Sequence, residues 1–127
     1  MTRFVTTPDA PDGPFSHAAV VGPWVFVSGM GGMDPRTREV VSDDIVEQTK
    51  QSLANVMAIL KACDCRPDDI VKVVVYLTDM ADYDRVNAVY LNALAPHKPA
   101  RTCVAVSSLP ARERMKLDVT AFSAKSS

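Results

Sequence analysis

Four side chains near the end of the sequence could bind an anion or move a proton. Arg101 and Cys103 are two residues apart, as are Lys116 and Asp118, and each pair lies in a run of residues typical of a strand. Because side chains alternate between the two faces of a strand, the members of each pair share a face. If the two strands pair like a hairpin, Arg101 lies within reach of Lys116 and Asp118, although the sequence leaves their register open.

Arg101 has two possible roles. Arginine is rarely buried unless its charge is paired, and its planar guanidinium fits a carboxylate through two hydrogen bonds. Residue types alone favour a structural ion pair with Asp118 or with a helix carboxylate, because such pairs are common scaffolding. A carboxylate on a bound ligand is the alternative.

Other candidates give weaker signals. Ser28 and Gly29 end a predicted strand where the backbone could approach a ligand, although a flexible turn is the simpler interpretation. His17 could act as an acid or base, but no serine or cysteine stands at a suitable spacing, which favours a strand-edge histidine. Cys63 and Cys65 are predicted to end a helix rather than bind metal. Three tyrosines are interpreted as core or interface aromatics: Tyr76, Tyr83 and Tyr90.

The apolar pattern predicts elements in the order β-β-α-β-α-β-β. Predicted strands cover 17–21, 24–29, Ile70–Leu77, 100–106 and Met115–Phe122, and predicted helices cover 44–63 and 81–94. This order is α+β: a mixed sheet with two helices on one face. The other face carries apolar residues, so self-association is expected to cover it.

Length and composition bound the class of protein. The chain has 127 residues, 47% hydrophobic and 23% charged, with a formal net charge of −1, which predicts one globular domain over 1–127. Residues 1–14 are predicted to form an extended arm without strand pairing, and 123–127 a flexible tail. The low charge gives no support for a nucleic-acid partner. With no apolar run of spanning length and no signal peptide, no membrane association is expected, and the expected location is cytoplasmic.

Several segments together resemble the RidA family (the YjgF/YER057c/UK114 group). They lie at 13–18, 25–29, 75–80, 86–90 and 98–104, and the resemblance runs from about residue 8 to residue 123. It implies a chorismate-mutase-like fold and a homotrimer with ligand sites in clefts between subunits. It also implies hydrolysis of reactive enamines and imines, such as 2-aminoacrylate, to 2-oxo acids and ammonia, without metal or cofactor.

The resemblance also assigns site residues. The family's arginine, which clamps the substrate carboxylate, matches Arg101, and this reverses the interpretation of Arg101 given by residue types alone. Cys103 matches a cysteine that lines the pocket and need not be a nucleophile. A pocket asparagine matches Asn87, and the strand-end pair matches Ser28 and Gly29.

Two positions depart from the family pattern. Phe15 replaces the pocket tyrosine and lacks its hydroxyl, and Lys116 stands where archetypal members carry the glutamate that holds or activates water. His17, Asp118 or bulk water could then serve as the base. A lysine beside Arg101 would also make the pocket more cationic and favour a dianionic or larger acid.

Three functions follow as hypotheses. The first is a deaminase of 2-aminoacrylate-like imines, and the second is a related hydrolase with a diverged substrate. The third is a non-catalytic trimer that binds small carboxylates or partner proteins. Arg101 favours either enzyme, whereas Lys116 and Phe15 favour the second or third hypothesis over the first.

Overall fold

A computed structural model describes residues 1–126 of the chain. Along these residues, the strands and helices are β1 (Thr2–Val5), β2 (Ala18–Val21), β3 (Trp24–Met30), α1 (Ile45–Ala62), β4 (Ile70–Leu77), α2 (Tyr83–Leu94), β5 (Ala100–Ala105) and β6 (Met115–Phe122). Short 3₁₀ helices occur at Pro67–Asp69, Met80–Asp82, Pro110–Arg112 and Ala124–Ser126.

The strands form one mixed sheet in the order β1-β2-β3-β6-β4-β5. Strands β4 and β5 are parallel, as expected for neighbours joined by a helical crossover, and the other pairs are antiparallel. Helix α1 packs against β3, β6 and α2. The predicted α+β class, with helices on one face of a mixed sheet, is confirmed.

Helix α1 follows from its sequence. The Asp44 side chain caps its first turn by accepting a hydrogen bond of 3.3 Å from the Val46 N–H. Residues at helical spacing, including Leu53, Val56 and Leu60, are buried against the sheet. Neither helix in residues 1–126 has the length and apolar character needed to cross a bilayer.

The two ends of the chain differ in part from expectation. Residues 1–14 were predicted to lack strand pairing, which is wrong for Thr2–Val5: these residues form edge strand β1, antiparallel to β2. Four residues at a sheet edge, three of them exposed, carry too little alternation to be recognised from sequence. In the predicted tail, the Ser123 N–H donates to the Pro23 carbonyl at 2.7 Å. Ser127 lies outside the described residues.

An ion cluster ties both helices to the start of β6. The Asp82 side chain is 1% exposed and accepts hydrogen bonds from Arg85 and from Arg114, the latter at 2.7 Å. Arg114 also donates to the Asp43 carbonyl at 2.7 Å, and its backbone N–H donates to Gln48 Oε1 at 2.8 Å. The turn before β6 is therefore fixed to both helices.

We expect Asp82→Ala to lower the free energy of unfolding by about 3 kcal/mol, because it leaves two arginines facing a partly buried site without their counter-ion. The expected value is at the low end of the range for buried pairs, since both arginines keep contact with solvent. Urea denaturation measures the loss. Asp84→Ala, an exposed change two residues further along in the first turn of α2, should cost less than about 0.5 kcal/mol, and equal losses would contradict the role of the cluster.

Candidate active site

The Arg101 guanidinium lies against two aromatic rings of α2. Its Cζ atom is 5.0 Å from the ring centroid of Tyr90 and 5.6 Å from that of Tyr83. Nη2 also donates a hydrogen bond of 3.2 Å to the Tyr83 hydroxyl. Both rings therefore hold the cation by cation–π attraction and restrict its orientation.

Helix spacing explains why these tyrosines meet Arg101. Tyr83 and Tyr90 are seven residues apart, two turns of α2, so their side chains point to the same side. Sequence reasoning treated both as core or interface aromatics and missed this contact. The seven-residue spacing indicates that Tyr83 and Tyr90 share one face of the helix, but it does not indicate which strand that face contacts.

The hydroxyl of Tyr90 is buried without a hydrogen-bond partner among the described residues. Burial raises the pKa of Tyr90, and the nearby Arg101 charge opposes this change. The phenol therefore stays neutral near pH 7 and keeps a proton that it can donate. A buried donor without a partner marks this region as one where a ligand atom would be stabilised.

Arg101 has no carboxylate partner within residues 1–126. The ion pairs there join other residues, and the guanidinium is half-buried against its two tyrosines. The structural pair with Asp118 or a helix carboxylate, which residue types alone favoured, is not found. An unneutralised, oriented guanidinium is suited to a carboxylate that comes from outside this chain.

Cys103 and Asn87 lie in the same region. Cys103 is on the same face of β5 as Arg101 and is half-buried. Burial raises the pKa of the Cys103 thiol, with Arg101 opposing, so the thiol stays protonated near neutral pH and is a weak nucleophile. Asn87 is half-buried on α2, one turn after Tyr83. These positions form what we call the arginine half of the site: Tyr83, Asn87, Tyr90, Arg101 and Cys103.

A cavity of about 310 Å³ lies on another part of the chain. It is bounded by the Pro-rich arm, the end of β3 and the start of β6, and its lining includes Phe15, Gly29, Gly31, Glu113 and Lys116. We call these five residues the cavity half. Neither Arg101 nor Cys103 lines this cavity. Ser28 stands beside it, and its hydroxyl donates to the Ser16 carbonyl at 2.6 Å.

Two glycines make room for charged side chains in the cavity half. A Cβ atom at Gly29 would meet Lys116 Cδ at 3.0 Å, and one at Gly31 would meet Glu113 Oε2 at 1.7 Å. Asn55 fixes this backbone by donating to the carbonyls of Gly31 and Met33, at 3.0 and 2.9 Å. The backbone at the glycine-rich end of β3 is therefore fixed close to the Lys116 and Glu113 side chains. It is not the flexible turn that residue types alone favoured.

The two halves lie on opposite faces of the sheet. Arg101 is in register with the buried Val73 of β4, whereas Lys116 is in register with Tyr76. Because 73 and 76 differ by an odd number, their side chains point to opposite faces. The expected proximity of Arg101 to Lys116 and Asp118 is therefore wrong within one chain: β5 and β6 do not pair, and β4 separates them.

The remaining predicted bases, His17 and Asp118, do not line the cavity. His17 is fully buried, where its Nδ1 accepts from the Thr7 N–H at 3.0 Å and its Nε2 is 2.8 Å from the Pro11 carbonyl. With both ring nitrogens in use, His17 has a geometry suited to anchoring the arm, not to proton transfer. Asp118 is exposed, two residues beyond Lys116 on the same face.

Lys116 is paired inside the cavity half. Its Nζ is 3.3 Å from Oε1 of Glu113, whose side chain is 2% exposed. Burial raises the pKa of Glu113, and the Lys116 charge opposes that rise. Sequence reasoning missed Glu113, because it stands between Arg112 and Arg114 in the segment that joins the two predicted strands 100–106 and Met115–Phe122.

Comparison with known proteins identifies the family. The model of the family described as Endoribonuclease L-PSP matches residues 6–124. The chain belongs to this family. A RutC family protein of Pyrococcus horikoshii is 40% identical over 124 residues, which are 96% of this chain and 98% of that protein. The human 2-iminobutanoate/2-iminopropanoate deaminase is 36% identical, with 94% of this chain and 88% of the human protein covered.

Solved structures agree with this assignment. The crystal structure of RidA from an Antarctic Psychrobacter species superposes with a TM-score of 0.91 at 33% identity, covering 94% of this chain and 98% of RidA. The resemblance to the RidA family is thereby confirmed. Within residues 1–126, no cluster of three or more histidine, cysteine or acidic side chains could hold a metal ion.

We expect His17→Ala to lower the free energy of unfolding by about 3 kcal/mol, because it leaves the Thr7 N–H and the Pro11 carbonyl unpaired and opens a cavity. Thermal and urea denaturation measure this loss. Under conditions where the variant remains folded, kcat should stay within a few-fold of the parent. A stable variant with a large loss of kcat would instead support the acid–base role of His17.

Proposed function

We propose that this RidA-family chain is a hydrolytic deaminase of small enamine and imine carboxylic acids, which it converts to 2-oxo acids and ammonia. The observation that carries the proposal is Arg101: a half-buried guanidinium, oriented by Tyr83 and Tyr90, with no carboxylate partner in residues 1–126. The name of the human relative, a 2-iminobutanoate/2-iminopropanoate deaminase, supports the same substrate class.

The reaction needs a held carboxylate and a placed water. Water oxygen adds to the carbon of the protonated C=N group, the resulting carbinolamine passes a proton to nitrogen, and the C–N bond then breaks to release ammonia. Arg101 would bind the substrate carboxylate through two parallel hydrogen bonds and so fix the imine carbon relative to the water. Cys103 and Asn87 would shape the pocket around it, with Cys103 acting as a neutral thiol.

The active assembly we propose is a homotrimer with the site shared by adjacent subunits. The arginine half and the cavity half lie on opposite faces of one sheet, so a single copy does not bring them together. Head-to-tail contact between copies can place the arginine half of one chain beside the cavity half of the next, and such contacts close into rings. This is the arrangement implied by the family resemblance.

The open face of the sheet supports self-association. Trp24, Phe26 and Phe122 are exposed there, with the ring of Trp24 edge-on to Phe122 at 4.9 Å and stacked near Phe26 at 6.5 Å. Large apolar patches of this kind are characteristic of protein interfaces. We therefore propose that this face contributes to the contact between subunits.

Monocarboxylic imines are the substrates we propose. The expectation of a dianionic acid depended on Lys116 adding a positive charge to the pocket. Glu113 lies 3.3 Å from that charge and balances it, which removes the reason for the expectation. The predictions of no nucleic-acid partner and of a cytoplasmic location remain predictions.

A non-catalytic carboxylate-binding trimer is the second candidate. Phe15 has no hydroxyl, and Lys116 is a cation where archetypal members carry a carboxylate. Under this alternative, 2-oxo acids bind in an Arg101-dependent manner, but imine hydrolysis shows no acceleration. Turnover and binding measured on one preparation distinguish the two candidates.

The test is a coupled assay in which threonine dehydratase generates 2-aminoacrylate or 2-aminocrotonate and release of the 2-oxo acid is followed optically. We expect acceleration by the parent protein and a loss of about 100-fold or more in kcat/KM for Arg101→Ala, since charged hydrogen bonds to the carboxylate are removed. Arg101→Lys should be intermediate, because it keeps charge without the planar fork.

Two control variants accompany this assay. Arg36→Ala removes an exposed arginine that belongs to neither half and should change nothing, while Cys103→Ala should stay within about tenfold of the parent, as expected for a lining residue rather than a nucleophile. A folded parent protein that gives no acceleration contradicts the proposal. Full activity in Arg101→Ala shows that the site lies elsewhere.

Mixing two defective variants tests the shared site. Arg101→Ala removes the arginine half, and Gly29→Leu fills the cavity half, so each protein alone should be inactive. After joint unfolding and refolding in equal amounts, about one site in four should combine two intact halves in a head-to-tail ring. Recovery of that activity supports a shared site, whereas no recovery from a correctly assembled mixture contradicts it.

A further inference from the structure

Glu113 is one of two buried acidic side chains within residues 1–126, the other being Asp82. Asp82 is held by two arginines in the ion cluster described above, away from the cavity. Glu113 lines the cavity itself and has a single cationic partner, Lys116. It is therefore a carboxylate kept from bulk water in the wall of the site, where a proton acceptor could act.

An unusual turn carries Glu113 inward. Ala111 and Arg112 have φ values of 57° and 58°, in the left-handed region that non-glycine residues rarely adopt. The Glu113 N–H then closes the turn by donating to the Pro110 carbonyl at 3.1 Å. Two consecutive residues in this conformation reverse the chain sharply before β6, and strained backbone of this kind concentrates at functional sites.

The surroundings of Glu113 keep the carboxylate in one place. Oε2 occupies the space that a side chain at position 31 would fill, so Gly31 is required for the observed position. Oε1 is tied to Lys116, whose stem in turn lies over Gly29. Both glycines and Lys116 thus hold Glu113 in a fixed orientation at the cavity wall.

We propose that Glu113 is the general base that takes a proton from the hydrolytic water, and that Lys116 is a positioning residue that holds the carboxylate. This inference rests on the proposed deaminase function. As the water oxygen bonds to the imine carbon, one of its protons passes to Glu113. Glu113 then returns this proton to the nitrogen of the carbinolamine. The C–N bond breaks as the C=O bond forms, the remaining hydroxyl proton passes to the departing ammonia or to solvent, and the carboxylate is restored.

The electrostatics of the cavity suit this role. Burial raises the pKa of Glu113, which makes it a stronger base than an exposed glutamate, and the Lys116 charge limits that rise. The other charged groups around it are Asp12 of the arm and the flanking Arg112 and Arg114, of which Arg114 is engaged with Asp82. Because the base must be deprotonated, activity should fall as the pH drops through the raised pKa.

The main test compares Glu113→Gln with the parent in the coupled assay. We expect kcat to fall by about 10²- to 10⁴-fold, the usual contribution of a general base, while KM changes only a few-fold. The acidic limb of the pH–rate profile, which is the decrease in rate at low pH, should be absent in Glu113→Gln. Glu47→Gln is the matched control, since Glu47 forms an exposed pair with Lys50 of the same i,i+3 spacing, and it should retain full activity.

A second variant keeps the inference falsifiable if Glu113→Gln does not fold. Lys116→Met removes the counter-charge and one contact that holds the carboxylate, so the acidic limb should move to higher pH and the plateau rate at high pH should fall, but by less than in Glu113→Gln. A merely structural role of the pair would lower the rate at all pH values without moving the limb.

The outcomes of these experiments distinguish a failure of the Glu113 inference from a failure of the proposed deaminase function. An active parent that depends on Arg101 but keeps its rate in Glu113→Gln overturns the role of Glu113 alone. An acidic limb that stays in place in Lys116→Met does the same. A folded parent with no acceleration overturns both the deaminase and its base.

Discussion

Side chains alternate between the two faces of a β-strand, and this alternation determines which charged residues of one chain can act at the same site. It places Arg101 on the face of the sheet that the helices cover and Lys116 on the opposite face, with β4 between their strands. No change of rotamer can bring such groups together, because the sheet itself lies between them. Chemistry that uses both must take them from different copies of the chain.

The arginine half and the cavity half of the site have complementary chemical groups. The arginine half has an oriented cation without an anion, and the phenol of Tyr90 is a buried donor without an acceptor. The cavity half carries a balanced Glu113–Lys116 pair, and therefore little net charge for binding an anionic substrate. Under the proposed function, substrate recognition and proton transfer belong to different surfaces, and the proposed assembly of subunits would bring them together.

The elements of the fold were largely readable from the sequence, because apolar periodicity is set by burial. Apolar and polar residues alternate along residues 115–121 of β6, and α1 begins at the Asp44 cap that its sequence indicates. Pairing was not readable: strands adjacent in sequence, β5 and β6, are separated by β4, and a hairpin assumption gave the wrong geometry for Arg101. Strand order depends on contacts between distant segments, and the local pattern carries little information about them.

The site shows the same division between local and long-range information. Arg101 could be chosen from its sequence context and resemblance, whereas Glu113 could not, because a glutamate between two arginines normally belongs to a solvated surface turn. Its burial arises from the left-handed backbone at Ala111 and Arg112 together with the space left by Gly31. Neither feature is indicated by the residue types around Glu113, because alanine and arginine rarely adopt this backbone and Gly31 is distant along the chain. In the sequence, Lys116 indicates the loss of the glutamate that archetypal family members carry at this position. In the folded chain it is the partner of another acid three residues earlier, so the cavity still contains a carboxylate.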